Sequence, residues 1–231
     1  MVSHNLSPVR LSTSRIRYLS EMIGTYALVV AGPGSVVITS MTSFPVFERL
    51  IVVASVFGLA VASVIVAVGK QSGANINPAV TTAATLAGGL ERGMWVPYVG
   101  FQLLGSLLAG LTLKVAFGSL APSVYLGSTK LAFGVSPAEG LILEITGTFF
   151  LALSALTASS FIRTPYGQAL LVGGTLFVLI LLVGPFTGAS FNPARSLGPS
   201  VFSGYFDSQF VYWLGPLVGG AGAGLLFRGL R

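Results

Sequence analysis

No cysteine occurs among the 231 residues, so disulfides, thiol nucleophiles and cysteine-held metals are excluded. His4 is the only histidine, and its polar N-terminal surroundings suit a solvated side chain, not a ligand. Charge is scarce too. Charged residues make up 8% of the chain, against about 25% in an ordinary soluble domain. So few groups could act as base, nucleophile or metal cage that catalysis is poorly supported. No enzyme, metal or cofactor is expected.

What fills the chain is apolar sequence, 53% hydrophobic, a membrane-protein composition. Six runs are expected to span a bilayer: Tyr18–Ser40, Leu50–Gly69, Trp95–Phe117, Pro137–Ser160, Tyr166–Val183 and Phe210–Leu226. The first exceeds the usual signal-peptide core of about 7–15 residues and opens near Glu21, so it is read as a retained span. Gly118–Ser136, with its Gly, Ser and Pro, is the longest connection. The net charge of +6 could suggest nucleic acid. Its placement argues otherwise. With a cytoplasmic N-terminus, Arg10, Arg15, Arg17, Lys70, Arg92, Arg163, Arg228 and Arg231 fall inside, and only Arg49, Lys114 and Lys130 outside. That is the positive-inside pattern, with both termini cytoplasmic and no nucleic-acid partner.

Two stretches interrupt the apolar pattern in matching places. SGANINPAVT runs from Ser72 to Thr81, and TGASFNPARSLGP from Thr187 to Pro199. In each, Asn77 or Asn192 suits a helix N-cap, and Pro78 or Pro193 suits the first helical position. The apolar sequence that follows is short, about half a bilayer core at about 1.5 Å per residue. Three spans and one half-helix therefore occur twice. Three is odd, so the second copy is inverted, the first half-helix entering from the cytoplasm and the second from outside. Glu21 in EMIGTY and Glu144 in EITGTF mark the same place in each half. Intramembrane carboxyls suggest function by default, but re-entrant loops need internal partners for their amides, and structural support is the better reading. Gly215 and Gly219, Gly220 and Gly224, and Ser106 and Gly110 are spaced for close helix contact.

With these motifs in hand, the chain resembles the aquaporin (major intrinsic protein) family over nearly its whole length. The resemblance implies an all-α membrane protein of six transmembrane helices plus two re-entrant half-helices in an inverted repeat. Residues 1–17 would be a cytoplasmic tail and 18–231 a single channel domain, with repeats at about 18–117 and 137–228. It implies pore lining by Asn77, Pro78, Ala79, Asn192, Pro193 and Ala194, and a selectivity filter of Phe57, Ile180, Ala189 and Arg195. Ile180 stands where strict water channels usually have His, Ser196 where glycerol channels have Asp, and Asn75 where His is usual. That filter is similar to archaeal-type aquaporins. A passive channel for water and small uncharged solutes such as glycerol or hydrogen peroxide, excluding protons and ions, is expected. A strict water channel is the alternative, followed by a small anion or ammonia channel and a junction protein with a closed pore. The partners implied are the lipid bilayer, small neutral solutes and three further copies in a homotetramer. Short tails and compact loops point to a plasma membrane.

Overall fold

Apolar runs at bilayer depth become helices because a helix pairs its own amides and carbonyls where water cannot. The computed structural model describes residues 13–120 and 122–231. It contains α1 (Thr13–Ser40), α2 (Val46–Ser72), the short α3 (Pro78–Leu86) and α4 (Trp95–Phe117). The second half repeats the order as α5 (Pro137–Phe161), α6 (Pro165–Thr187), the short α7 (Pro193–Ser203) and α8 (Gln209–Gly229). Short 3-10 segments occupy Arg92–Met94 and Pro122–Gly127, and no strand occurs among the described residues. His4 and Arg10 lie outside the described residues. Among the described residues, six helices are long and apolar enough to cross a bilayer.

The helices overrun the apolar limits read from sequence. The first begins at Thr13, not Tyr18, and α6 continues to Thr187. At the end of α6 capping explains the difference, because a cap and not hydropathy decides where a helix stops. Ser136 and Glu139 form a capping box at the start of α5, with Ser136 N–H donating to Glu139 Oε2 at 2.7 Å. At their far ends α2 and α6 close on Gly73 and Gly188, at φ 89° and 76°. Tyr98 and Tyr212 hydroxyls then donate to the Ser72 and Thr187 carbonyls at 2.9 and 3.0 Å, satisfying groups that the helix ends leave open.

Packing follows a pseudo-twofold axis. The first helix lies against α2 and α4 as α5 lies against α6 and α8, while α2 and α6 face each other. At that central contact a Cβ on Gly58 would come 2.8 Å from the Gly173 carbonyl oxygen, and one on Gly173 2.5 Å from that of Gly58. Each half-helix seats in the opposite repeat: α3 chiefly against α8, and α7 against α4. Small residues permit this, as expected where lipid offers helices no hydrophobic drive. A Cβ on Gly105 would run into the Met22 carbonyl oxygen, and one on Gly219 into that of Ile145. Gly198 and Gly220 are crowded in the same way by the Ser106 and Ala79 carbonyls.

Gly105→Ala should therefore push α4 off α1, with a cost of about 1–3 kcal/mol for overpacking. Gly174→Ala is the control, since nothing lies within 4 Å of its Cβ position. Thermal unfolding of purified protein in detergent should show a clearly lower midpoint for the first and an unchanged or raised one for the second. Equal midpoints would contradict the packing described.

Candidate functional site

The half-helices meet nose to nose. Asn77 Oδ1 accepts from Ala79 N–H at 2.8 Å, and Asn192 Oδ1 from Ala194 and Arg195 N–H at 2.9 and 3.3 Å. Both asparagines thus cap their helices, as their side-chain length and β-region backbone allow. Their amide nitrogens cross over. Asn77 Nδ2 donates to the Phe191 carbonyl at 2.8 Å, and Asn192 Nδ2 to that of Ile76 at 3.0 Å. An amide nitrogen carries two hydrogens, so each asparagine keeps one N–H beyond this bond. Both line a cavity of about 190 Å³. Pro78, Ala79, Pro193 and Ala194 are buried beside them but outside the cavity lining. Ala194 instead gives its carbonyl to the Ser106 hydroxyl on α4.

The loops that deliver these asparagines are strained, and the strain repeats. Ala74 and Ile76 have φ of 48° and 45°, and Ala189 and Phe191, at the related positions, 46° and 53°. Left-handed backbone in such residues costs about 1–3 kcal/mol apiece. One carboxylate offsets it in each half. Glu21 accepts from Asn75 and Ile76 N–H at 3.0 and 2.6 Å and from Gln102 Nε2 at 2.7 Å. Glu144 accepts from Ser190 and Phe191 N–H at 2.9 and 2.7 Å and from the Thr187 hydroxyl at 2.7 Å. Hydrogen bonds to a charged group contribute about 1.5–3 kcal/mol each. The two terms are of the same size, so the loop shape depends on the carboxyl. Gln102 was not singled out in the sequence, although a polar side chain within an apolar span was the available signal.

Arg195 is the third residue of α7 and is only 3% exposed. Its Nη1 donates to the Gly127 carbonyl at 2.8 Å. Its guanidinium carbon lies 4.9 Å from the centre of the Phe57 ring, a cation–π contact. Its Nε has no partner. That nitrogen is buried, while the residue itself belongs to the cavity lining together with Phe57 and Ala189. Ile180 is buried in the same apolar cluster as Phe57 and Ala189, yet the cavity wall on α6 carries Leu176, one turn earlier, and not Ile180. The cavity runs back past Asn192 and Asn77 to Leu90, Gln168 and Arg231, near the face where α8 ends. Asn75 lines it as well.

Gly127 lay unnoticed in what read as a plain connection. Tyr125, Leu126 and Gly127 take φ of 48°, 56° and 74° in succession. This bend tucks the segment against α1, where a Cβ on Gly127 would sit 2.5 Å from the Pro33 carbonyl oxygen. Only glycine fits there. Among the described residues no cluster of His, Cys, Asp and Glu could hold a metal.

Two inverted repeats that each send a capped half-helix to a shared cavity define a class of multi-pass membrane protein. Comparison with known proteins gives the family. The model of the major intrinsic protein family matches residues 9–227. Aquaporin TIP2-1 of Arabidopsis thaliana is 37% identical over 221 residues, covering 91% of this chain and 85% of its own length. Putative aquaporin NIP4-1 of the same plant is 36% identical over 220 residues, covering 93% and 74%. The aquaglyceroporin of Plasmodium falciparum shares the fold, with a TM-score of 0.77 at 22% identity over 94% of this chain and 95% of that one. The chain belongs to the major intrinsic protein family, whose members are membrane channels and not enzymes.

Replacing Arg195 by Val removes the one full positive charge buried beside Phe57. Proton or cation leak through reconstituted protein should rise while water flux persists. A folded, water-conducting variant with unchanged leak would show that the half-helix ends suffice without it.

Proposed function

We propose that the protein passes water and small uncharged solutes, glycerol or hydrogen peroxide among them, and rejects protons and ions. One observation carries this reading: Asn77 and Asn192 lie side by side on a cavity that also meets Arg195. Each half-helix start carries about half a positive charge. Two such ends facing one another repel cations, and the spare asparagine N–H groups favour an oxygen of either water or a hydroxyl. Arg195 adds a full charge on the same path, in keeping with exclusion of hydronium.

Selectivity is assigned to Phe57, Ile180, Ala189 and Arg195. Phe57 would present an apolar wall, with Ile180 buried in the same cluster and one turn beyond the lining residue Leu176, and Ala189 leaves room, with Arg195 the main donor. A solute with carbon on one face and hydroxyls on the other suits such a ring. It gains about 0.8 kcal/mol per CH₂ removed from water, and each retained hydrogen bond offsets about 1 kcal/mol of dehydration. These magnitudes favour slow glycerol passage, Phe57 still limiting the width. Relatives named aquaporins and a fold neighbour named an aquaglyceroporin are in keeping with both cargoes. We further propose a homotetramer with a pore in each subunit, residing in a plasma membrane with both termini cytoplasmic. The distribution of Lys and Arg supports that orientation.

Stopped-flow swelling of proteoliposomes with water and glycerol tests the solute range. Wild-type protein should conduct water and measurable glycerol. An imidazole in Ile180→His would narrow the ring and add a polar group, lowering the glycerol-to-water permeability ratio. Wild-type glycerol flux equal to that of empty liposomes would leave a strict water channel.

A further inference from the structure

We propose that Thr129 and Ser196 are positioning residues for Arg195, and that through it they set how strictly the channel rejects charge. The proposal rests on reading Arg195 as a charge barrier. It starts from how loosely the guanidinium is held. Among the described residues its one side-chain hydrogen bond goes to the Gly127 carbonyl, it lies over the Phe57 ring, and Nε is unpartnered. Where the charge sits therefore depends on where that carbonyl sits.

Gly127 cannot place itself. It ends a run of three left-handed residues, a conformation that persists only when its surroundings impose it. Besides the packing on Pro33, a buried side-chain contact lies two residues on. Thr129 is 1% exposed, and its Oγ1 is 2.9 Å from Ser196 Oγ. Ser196 Oγ is in turn 2.6 Å from Ser190 Oγ, which donates to the Asn192 carbonyl at 2.9 Å. Ser196 directly follows Arg195 in α7. The buried hydroxyl chain thus ties the loop to the same helical turn that bears the arginine, keeping carbonyl and guanidinium in register.

The pseudo-twofold supplies an internal comparison. Thr81 stands four residues after Asn77 as Ser196 stands four after Asn192. Its hydroxyl accepts from Gln102 Nε2 at 2.8 Å and donates to the Asn77 carbonyl at 2.9 Å, bracing α3 to α4. The first repeat has Val80 where the second has Arg195. Where the arginine is present, the equivalent hydroxyl holds the loop that holds the arginine. A hydroxyl also does this without a charge of its own, so the field of Arg195 is not offset. The outer links of the loop are weaker candidates: the Ser128–Ser203 pair and the Tyr125–Tyr205 stack are partly open to water, which can replace such contacts.

Thr129→Val, Thr129→Ser, Ser196→Ala and Arg195→Val, reconstituted beside wild type, test the proposal by paired readings of osmotic water permeability and proton conductance. Thr129→Val keeps the side chain's shape and removes its hydroxyl. It and Ser196→Ala should raise proton conductance about fivefold, roughly the factor that one ordinary hydrogen bond is worth, with water permeability near wild type. Thr129→Ser should restore the wild-type value. Should Thr129→Val fail to fold, Ser196→Ala alone decides. Wild-type conductance in the hydroxyl variants beside a leaking Arg195→Val would overturn the positioning role and leave the arginine barrier intact. A Thr129→Ser variant that leaks like Thr129→Val would overturn it too. An Arg195→Val protein that does not leak would remove the barrier reading itself, and this proposal with it.

Discussion

Loop backbone placed at bilayer depth must find every hydrogen-bond partner inside the protein, and in this chain two carboxyls supply them. Glu21 and Glu144 each receive a pair of consecutive loop amides and one further side-chain donor. Without them, two left-handed residues per loop and several open N–H groups would be left in a medium with no water. Much else depends on this. The loops must hold their bend for Asn77 and Asn192 to begin their helices at the centre. The asparagines must be there for their amides to cross to the opposite loop. A polar centre in an apolar protein is thus secured by groups that need not touch anything passing through it.

The two halves share one frame, and some of their differences fall on the cavity. Close-contact glycines, tyrosine caps, carboxyls and left-handed residues recur at related positions. At others the halves diverge. Val80 pairs with Arg195, and Phe57 pairs with Val172, the latter two both lining the cavity. Asn75 pairs with Ser190, again both on the lining. Symmetry builds the frame, and a few asymmetric substitutions give the cavity its chemistry.

Much of this was legible in the sequence, because bilayer physics writes in long runs. Helix number, inversion and the placing of both half-helices follow from apolar length, parity and the doubled Asn-Pro-Ala. Helix ends were less legible. Thr13 and Thr187 are polar residues that extend α1 and α6 beyond the hydrophobic limits. The connection from Gly118 to Ser136 was opaque for a different reason. Its contribution is a backbone carbonyl, at Gly127, and a backbone group has no residue type to signal it. Ile180 illustrates a third limit. Spacing puts it on the right helix and face, but the cavity lining takes up Leu176 and not Ile180, a distinction of one turn along α6 between residues that share a face.

Osmotic water permeability of proteoliposomes, followed over a range of temperature against protein-free vesicles of the same lipid, bears most directly on the central claim. If the facing half-helices frame an open path, the protein should raise permeability and weaken its temperature dependence, because water then no longer has to dissolve in hydrocarbon. Permeability and temperature dependence matching the bare lipid, at verified protein incorporation, would contradict it.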